Sequence, residues 1–175
     1  MVKKLTIVVL AVILGQNLGY SQQRSGVVTM EQFKNELLIR VNKLRQRGCN
    51  CGNMYMPPVN PIAWNAQLQF SASVHARDMA TQRYFSHESI DGKSVKDRIY
   101  NAGYSIYGYQ KIWIGENIAQ GQTSIRQVIN DWLKSPEHCK NLMSPNYKEM
   151  GVALVNTYWV QDFGGRYPFS STASK

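Results

Sequence analysis

Four stretches of this chain repeat apolar residues every three or four positions, and each starts at a residue suited to capping a helix. Phe33, Leu37, Val41 and Leu44 form one stripe, the mark of an amphipathic helix. Thr29 with Gln32 supplies a capping box for it, and Gly48 stops it. Asn65 caps a second helix whose inward stripe is Leu68, Ala72, His75 and Met79. Ser94 with Asp97 opens a third, carrying Val95, Ile99 and Ala102 and stopped by Gly103. Thr123 or Ser124 caps a fourth, with Ile125, Val128, Ile129 and Trp132 on one face; Pro136 ends it.

Strands occupy the other apolar runs. "IWIGENIA" reads as one, and "MGVALV" and "YWVQDFG" as two more joined by a hairpin at Asn156-Thr157. The proline-rich "NMYMPPVNPIAW" reads as a loop, since Pro57 and Pro58 cannot sit inside a helix. "FSHESIDGKS" reads as a loop that turns at Asp91-Gly92, and "YSIYGYQKI" as a surface segment. With no internal repeat, the pattern predicts one α+β domain with helices on both faces of a small sheet.

The ends change the picture of where the protein works. Lys3 and Lys4 precede an apolar run from Leu5 to Leu14, and Gly19 and Ser21 are small residues suited to a cut after Ser21. Residues 1–21 therefore read as a secretory signal, the alternative being an uncleaved anchor. Cleavage removes two lysines and no acid, lowering the net charge from +9 to +7. The about 150 residues left suit one core. The positive charge suits acidic glycans, lipopolysaccharide or anionic lipid, or simply solubility. The basic residues are scattered, which argues against nucleic acid. The tail from residue 166 to 175 is small and polar, and reads as disordered.

Export makes a disulfide the default for paired cysteines. A bridge between Cys49 and Cys51 would be strained, so either one is expected to bond Cys139, leaving one thiol over. The closed loop of about 90 residues would contribute roughly 3–5 kcal/mol. The competing use, a zinc site built from these cysteines and His138, has three sulfurs and one nitrogen in a compartment that oxidises thiols.

Three polar residues stand where chemistry can happen: His87 in "FSHESIDG", Glu116 in "IGENIA" and His138 in "SPEHCKN". Two imidazoles and a carboxylate suit a divalent metal with an open position, or a proton-transfer pair. Each also has an ordinary structural use, and Glu116 or its neighbour Asn117 can hold a sheet edge. His75 lies on an apolar stripe and reads as a buried, hydrogen-bonded residue. The pair His138-Cys139 is not a nucleophile with its base, because sequence neighbours point apart while such a pair needs a separation of about 3 Å. No G-x-S-x-G, H-E-x-x-H or phosphate-loop pattern occurs.

"SASVHARDMATQRYFSHESIDGKSVKDRIYNAGY", "GENIAQG", "DWLKSPEHCKNLMSPNYKEMGVAL" and "YWVQDFGG" follow one another in that order. Together they resemble the CAP superfamily, in its bacterial branch of SCP-like extracellular proteins. The resemblance covers residues 27–165 and implies a three-layer α-β-α sandwich with a small central antiparallel sheet and a groove. That groove holds two histidines and two glutamates, which bind zinc or another divalent ion in some members. His87, Glu116 and His138 match three of the four positions. The fourth, three residues after Trp132, is Ser135, with Glu137 nearby as a substitute. Weaker metal affinity is the consequence. In this pattern His138 faces the groove and Cys139 is a disulfide partner.

The signal predicts a secreted protein, extracellular or periplasmic, with no transmembrane segment after cleavage, and a monomer is expected; the resemblance implies binding of a lipid, glycan or peptide in the groove. The alternative is a metal-assisted hydrolase, using His87, His138 and Glu116 around a metal-bound water.

Overall fold

The central sheet of the computed structural model, which describes residues 28–169, has helices on both faces. Helix α1 (Met30–Arg47) begins at the expected Thr29/Gln32 capping box and ends at Gly48. The chain then forms two three-residue strands, β1 (Cys49–Cys51) and β2 (Met54–Met56), and a two-residue strand β3 (Ala63–Trp64). The segment expected to be a loop thus contains a small hairpin and a sheet edge; such short strands leave no periodicity to read. Helices α2 (Ala66–Gln82) and α3 (Val95–Asn101) start at Asn65 and Ser94. Strand β4 (Lys111–Gln120) follows, then α4 (Ile125–Lys134), capped by Ser124.

Pro136 ends α4 as expected, but it also opens a further helix, α5 (Pro136–Met143). Proline suits a first helical position because its missing N–H would have no partner there. Strands β5 (Glu149–Val155) and β6 (Tyr158–Tyr167) complete the fold. Arg166 and Tyr167, placed in the tail by sequence, pair with Ile112 and Lys111. The remainder of that tail from residue 170, and the signal at 1–21, lie outside the described residues.

The four-stranded sheet runs β3-β5-β6-β4. It is antiparallel except at one edge, where β3 runs parallel to β5. On one face α1, α4 and α5 pack Leu37, Val41, Trp132 and Leu142 against Met150, Trp159 and Phe163. On the other, α2 packs Ala72, Ala76 and Met79 against Ile118, Ala153 and Val160. This is the expected α-β-α sandwich. Gly151 lets α2 cross directly over β5, since a Cβ there would collide with the backbone of Leu68 and Gln69.

Two long-range ties hold the helices in place. Cys51 bridges to Cys139 with their Cα atoms 5.4 Å apart, which leaves Cys49 free. Arg45, 1% exposed, donates to the carbonyls of Asn60, Leu142, Ser144 and Tyr147 at 2.8–3.1 Å. Its charge rests on carbonyls that include the C-terminal end of α5, where the helix dipole favours a cation. Burial lowers the Arg45 guanidinium to about 10, so it stays charged at neutral pH. Among the described residues no helix is long and apolar enough to cross a membrane.

Candidate functional site

Strand β4 is a sheet edge, and side chains from helices and loops on both faces reach it. From one face comes the segment after α2. Arg83 adopts a left-handed conformation at φ 59° and turns the chain out of the helix. His75, on the inward stripe of α2, then bonds the Ser86 carbonyl through Nε2 at 2.9 Å. Burial lowers the His75 pKa, so the ring is neutral and its Nε2–H donates. The expected core histidine therefore holds the loop that carries His87. Gly92, at φ 78°, makes the predicted turn at Asp91-Gly92.

His87 Nδ1 lies 2.7 Å from Glu116 Oε1. The other carboxylate oxygen, Oε2, accepts from Arg98 at 2.7 Å. Arg98 also donates to Ser89 Oγ and the Lys93 carbonyl, tying the His87 loop to α3. Glu116 is 1% exposed at its side chain and His87 52%. Two cationic or N–H donors thus occupy the carboxylate from inside, and the imidazole turns its Nε2 edge outward. An orienting carboxylate of this kind fixes the tautomer and direction of a histidine.

From the opposite face α5 brings His138, half-buried. Burial lowers its pKa, and the His87 charge lowers it further against a weaker pull from Glu137. The two imidazoles are therefore electrostatically coupled. A chain of amides sets the position of α5. Asn117 donates to the His138 carbonyl at 3.2 Å and to Gln161 at 3.3 Å. Asn141 donates to Asn117 at 2.9 Å and to the Glu116 carbonyl at 3.2 Å. The Ile118 carbonyl accepts from Trp132 and the Ile114 carbonyl from Tyr147. Three carbonyls of the edge strand, at Ile114, Glu116 and Ile118, are thereby taken, and edge protection of this sort opposes pairing with another strand.

Neither Glu137 nor Ser135 makes a side-chain hydrogen bond to His87, Glu116 or His138. Glu137 is 80% exposed and pairs with Lys140 at 2.6 Å, within its own helix. Ser135 joins α4 to α5 and makes no side-chain capping bond. Among the described residues, His87, Glu116 and His138 do not bring three ligand atoms within 4.8 Å of one another; Cys49, Cys51 and Cys139 do. Each Glu116 oxygen is engaged by one protein donor, His87 on one side and Arg98 on the other. The cysteine group contains the disulfide, whose sulfurs are not thiolates.

Two buried charged groups behind the site were missed from sequence. Arg98 lies three residues after Val95, on the inward face of α3, and that spacing was the available signal. Asp162 is fully buried directly across from Glu116 on β6. Adjacent residues of a strand face opposite ways, so with helices on both faces Gln161 and Asp162 could not both escape burial. No donor meets either Asp162 oxygen in good hydrogen-bond geometry, though Ser71 and Glu116 are its close polar neighbours. Burial, then the Glu116 charge, raise the Asp162 pKa well above the usual carboxylate range.

A family model described as the cysteine-rich secretory protein family, CAP, matches residues 38–163. The chain belongs to the CAP family. Protein YkwD of Bacillus subtilis is 34% identical over 110 residues, 62% of this chain and 41% of its own length. The CAP domain is also similar to an extracellular SCP-domain protein of Bacillus anthracis, at TM-score 0.58 and 28% identity. That match covers 79% of this chain and 44% of the other. An outer surface protein of Borrelia burgdorferi has the same fold, at TM-score 0.59 and 21% identity, covering 78% of this chain and 92% of that one. The chain spans about two fifths of the length of the first two proteins.

Proposed function

We propose that this CAP protein is exported, with residues 1–21 as its leader, and works as a binding module whose ligand engages His87 and His138. The observation that carries this reading is the commitment of Glu116. With one oxygen on Arg98 and the other on His87, the carboxylate is committed to orienting the imidazole. What remains is an oriented imidazole with an outward Nε2, able to bind a polar group, beside a second imidazole on α5. Phe85 and Ile90, in the same loop as His87, are 49% and 65% exposed. Exposed apolar side chains in the loop that carries His87 favour an amphipathic ligand, with lipid the first class and glycan and peptide the others.

Hydrolysis is the weaker reading. Among the described residues no serine, threonine or cysteine side chain hydrogen-bonds to His87 or His138, whereas covalent catalysis pairs a nucleophile with its base. The test presents the mature protein with a long-chain fatty acid, an N-acetylated oligosaccharide and a peptide library, in turn. Native mass spectrometry reads binding, and chromatography of the library reads cleavage. Binding of one class, weakened at least tenfold by His87→Ala, is expected. Peptide cleavage that vanishes in both His87→Ala and His138→Ala would overturn the reading.

A further inference from the structure

The three cysteines meet at one point although the sequence separates Cys51 from Cys139 by 88 positions. The free Cys49 sulfur lies 3.7 Å from the Cys139 sulfur and 4.0 Å from that of Cys51. We propose that Cys49, Cys51 and Cys139 form a thiol–disulfide exchange centre in which Cys139 is handed between Cys51 and Cys49.

The step balances without an outside oxidant. Cys49 loses its proton to water, and its thiolate attacks the Cys139 sulfur. The Cys49–Cys139 bond forms, the Cys51–Cys139 bond breaks, and Cys51 leaves as a thiolate that takes up a proton. One sulfur is oxidised as another is reduced. Attack on Cys51 instead would close a strained ring around Asn50 alone, so Cys139 is the productive target.

Two features of the site set how the exchange runs. Cys49 is nearly equidistant from both bridged sulfurs, so it stands broadside to the bond, and the β1 segment must rotate to bring it in line. That hairpin is separate from the four-stranded sheet and turns at Gly52, whose φ is 62°. The sulfurs are walled by Leu44, Met56, Val59, Leu133 and Met143, none of them charged. Burial alone raises the Cys49 pKa, which keeps the thiol protonated at neutral pH and the exchange slow until the solution is made alkaline.

The two isomers differ in what they offer to solvent. Cys49 is half-buried, whereas Cys51 is 2% exposed. With Cys51–Cys139 bridged, the free sulfur is open to small thiols and disulfides. With Cys49–Cys139 bridged, the free thiol passes to the buried Cys51 position, out of their reach. Exchange therefore decides whether a small disulfide can cap the protein.

The experiment uses the oxidised mature protein. It is held at about pH 8.5 without added thiol, denatured in acid, labelled with a thiol reagent active at low pH, and read by fragment mass spectrometry. Label is expected first at Cys49, then increasingly at Cys51, at a rate independent of protein concentration. In a second arm, Cys51→Ser is expected to oxidise to a Cys49–Cys139 bridge, lighter by two hydrogens than the reduced chain. Label that stays on Cys49 throughout, or exchange whose rate rises with protein concentration, overturns the proposal whatever Cys51→Ser does. Two alkylatable thiols remaining in Cys51→Ser after oxidation also overturn it.

Discussion

Arg98 and Glu116 meet at 2.7 Å where neither side chain reaches water, at 4% and 1% exposure. Burying a charge is costly unless a partner compensates it, so losing one member leaves the other stranded. Glu116→Ala and Arg98→Met are each expected to cost about 3–5 kcal/mol in denaturant unfolding. The double variant should lose clearly less than the sum, because no unpaired charge is left behind. Additive losses would show that the two residues do not depend on each other.

Asp162 carries the opposite burden, since burial and then the Glu116 charge push its carboxyl toward the neutral form. Its folded pKa lies above its unfolded value, near 3.8. As pH rises past that value, the unfolded chain gives up the proton first. The stability Asp162 contributes is therefore complete below the unfolded pKa and is lost as pH climbs towards the folded one. Asp162→Asn removes this dependence. The stability of the variant relative to the wild type should rise with pH, by up to about 1.4 kcal/mol per unit, until it levels off. A difference that is constant with pH would place Asp162 outside the titration.

His138 should titrate below the ordinary histidine range, about 6.5, because burial and then the His87 charge oppose its protonation. As pH falls, the unfolded chain takes up the proton first. The contribution of His138 is thus whole above that value and declines as pH drops towards the folded midpoint. In proton NMR titrations His87→Ala should raise the His138 midpoint. No change would mean that the two rings do not share an electrostatic environment.

Much of the fold was legible because it rests on local rules. Thr29, Asn65, Ser94 and Ser124 cap the helices that their sequence neighbourhoods indicate, and the three long strands follow apolar runs. What escaped depends on residues far apart in the chain. Arg45 finds carbonyls about a hundred residues away, and no local pattern marks an arginine as buried. The choice of Cys51 over Cys49 turns on the register of a three-residue strand. At the site, sequence picked out His87, Glu116 and His138 but not their relationship. Nothing local showed that Arg98 and Asp162 stand around Glu116, or that Glu137 pairs with Lys140 within its own helix.

The central claim is that Glu116, anchored by Arg98, holds His87 by its Nδ1 and leaves Nε2 open to solvent. Nitrogen NMR of the mature protein, with labelled histidine and the His87 signals assigned through His87→Ala, reads the tautomer of the neutral ring. The account predicts a protonated Nδ1 and a bare Nε2, with this preference lost in Glu116→Gln. A His87 ring protonated at Nε2 with a bare Nδ1 would contradict it, since such a ring has nothing to donate to Glu116.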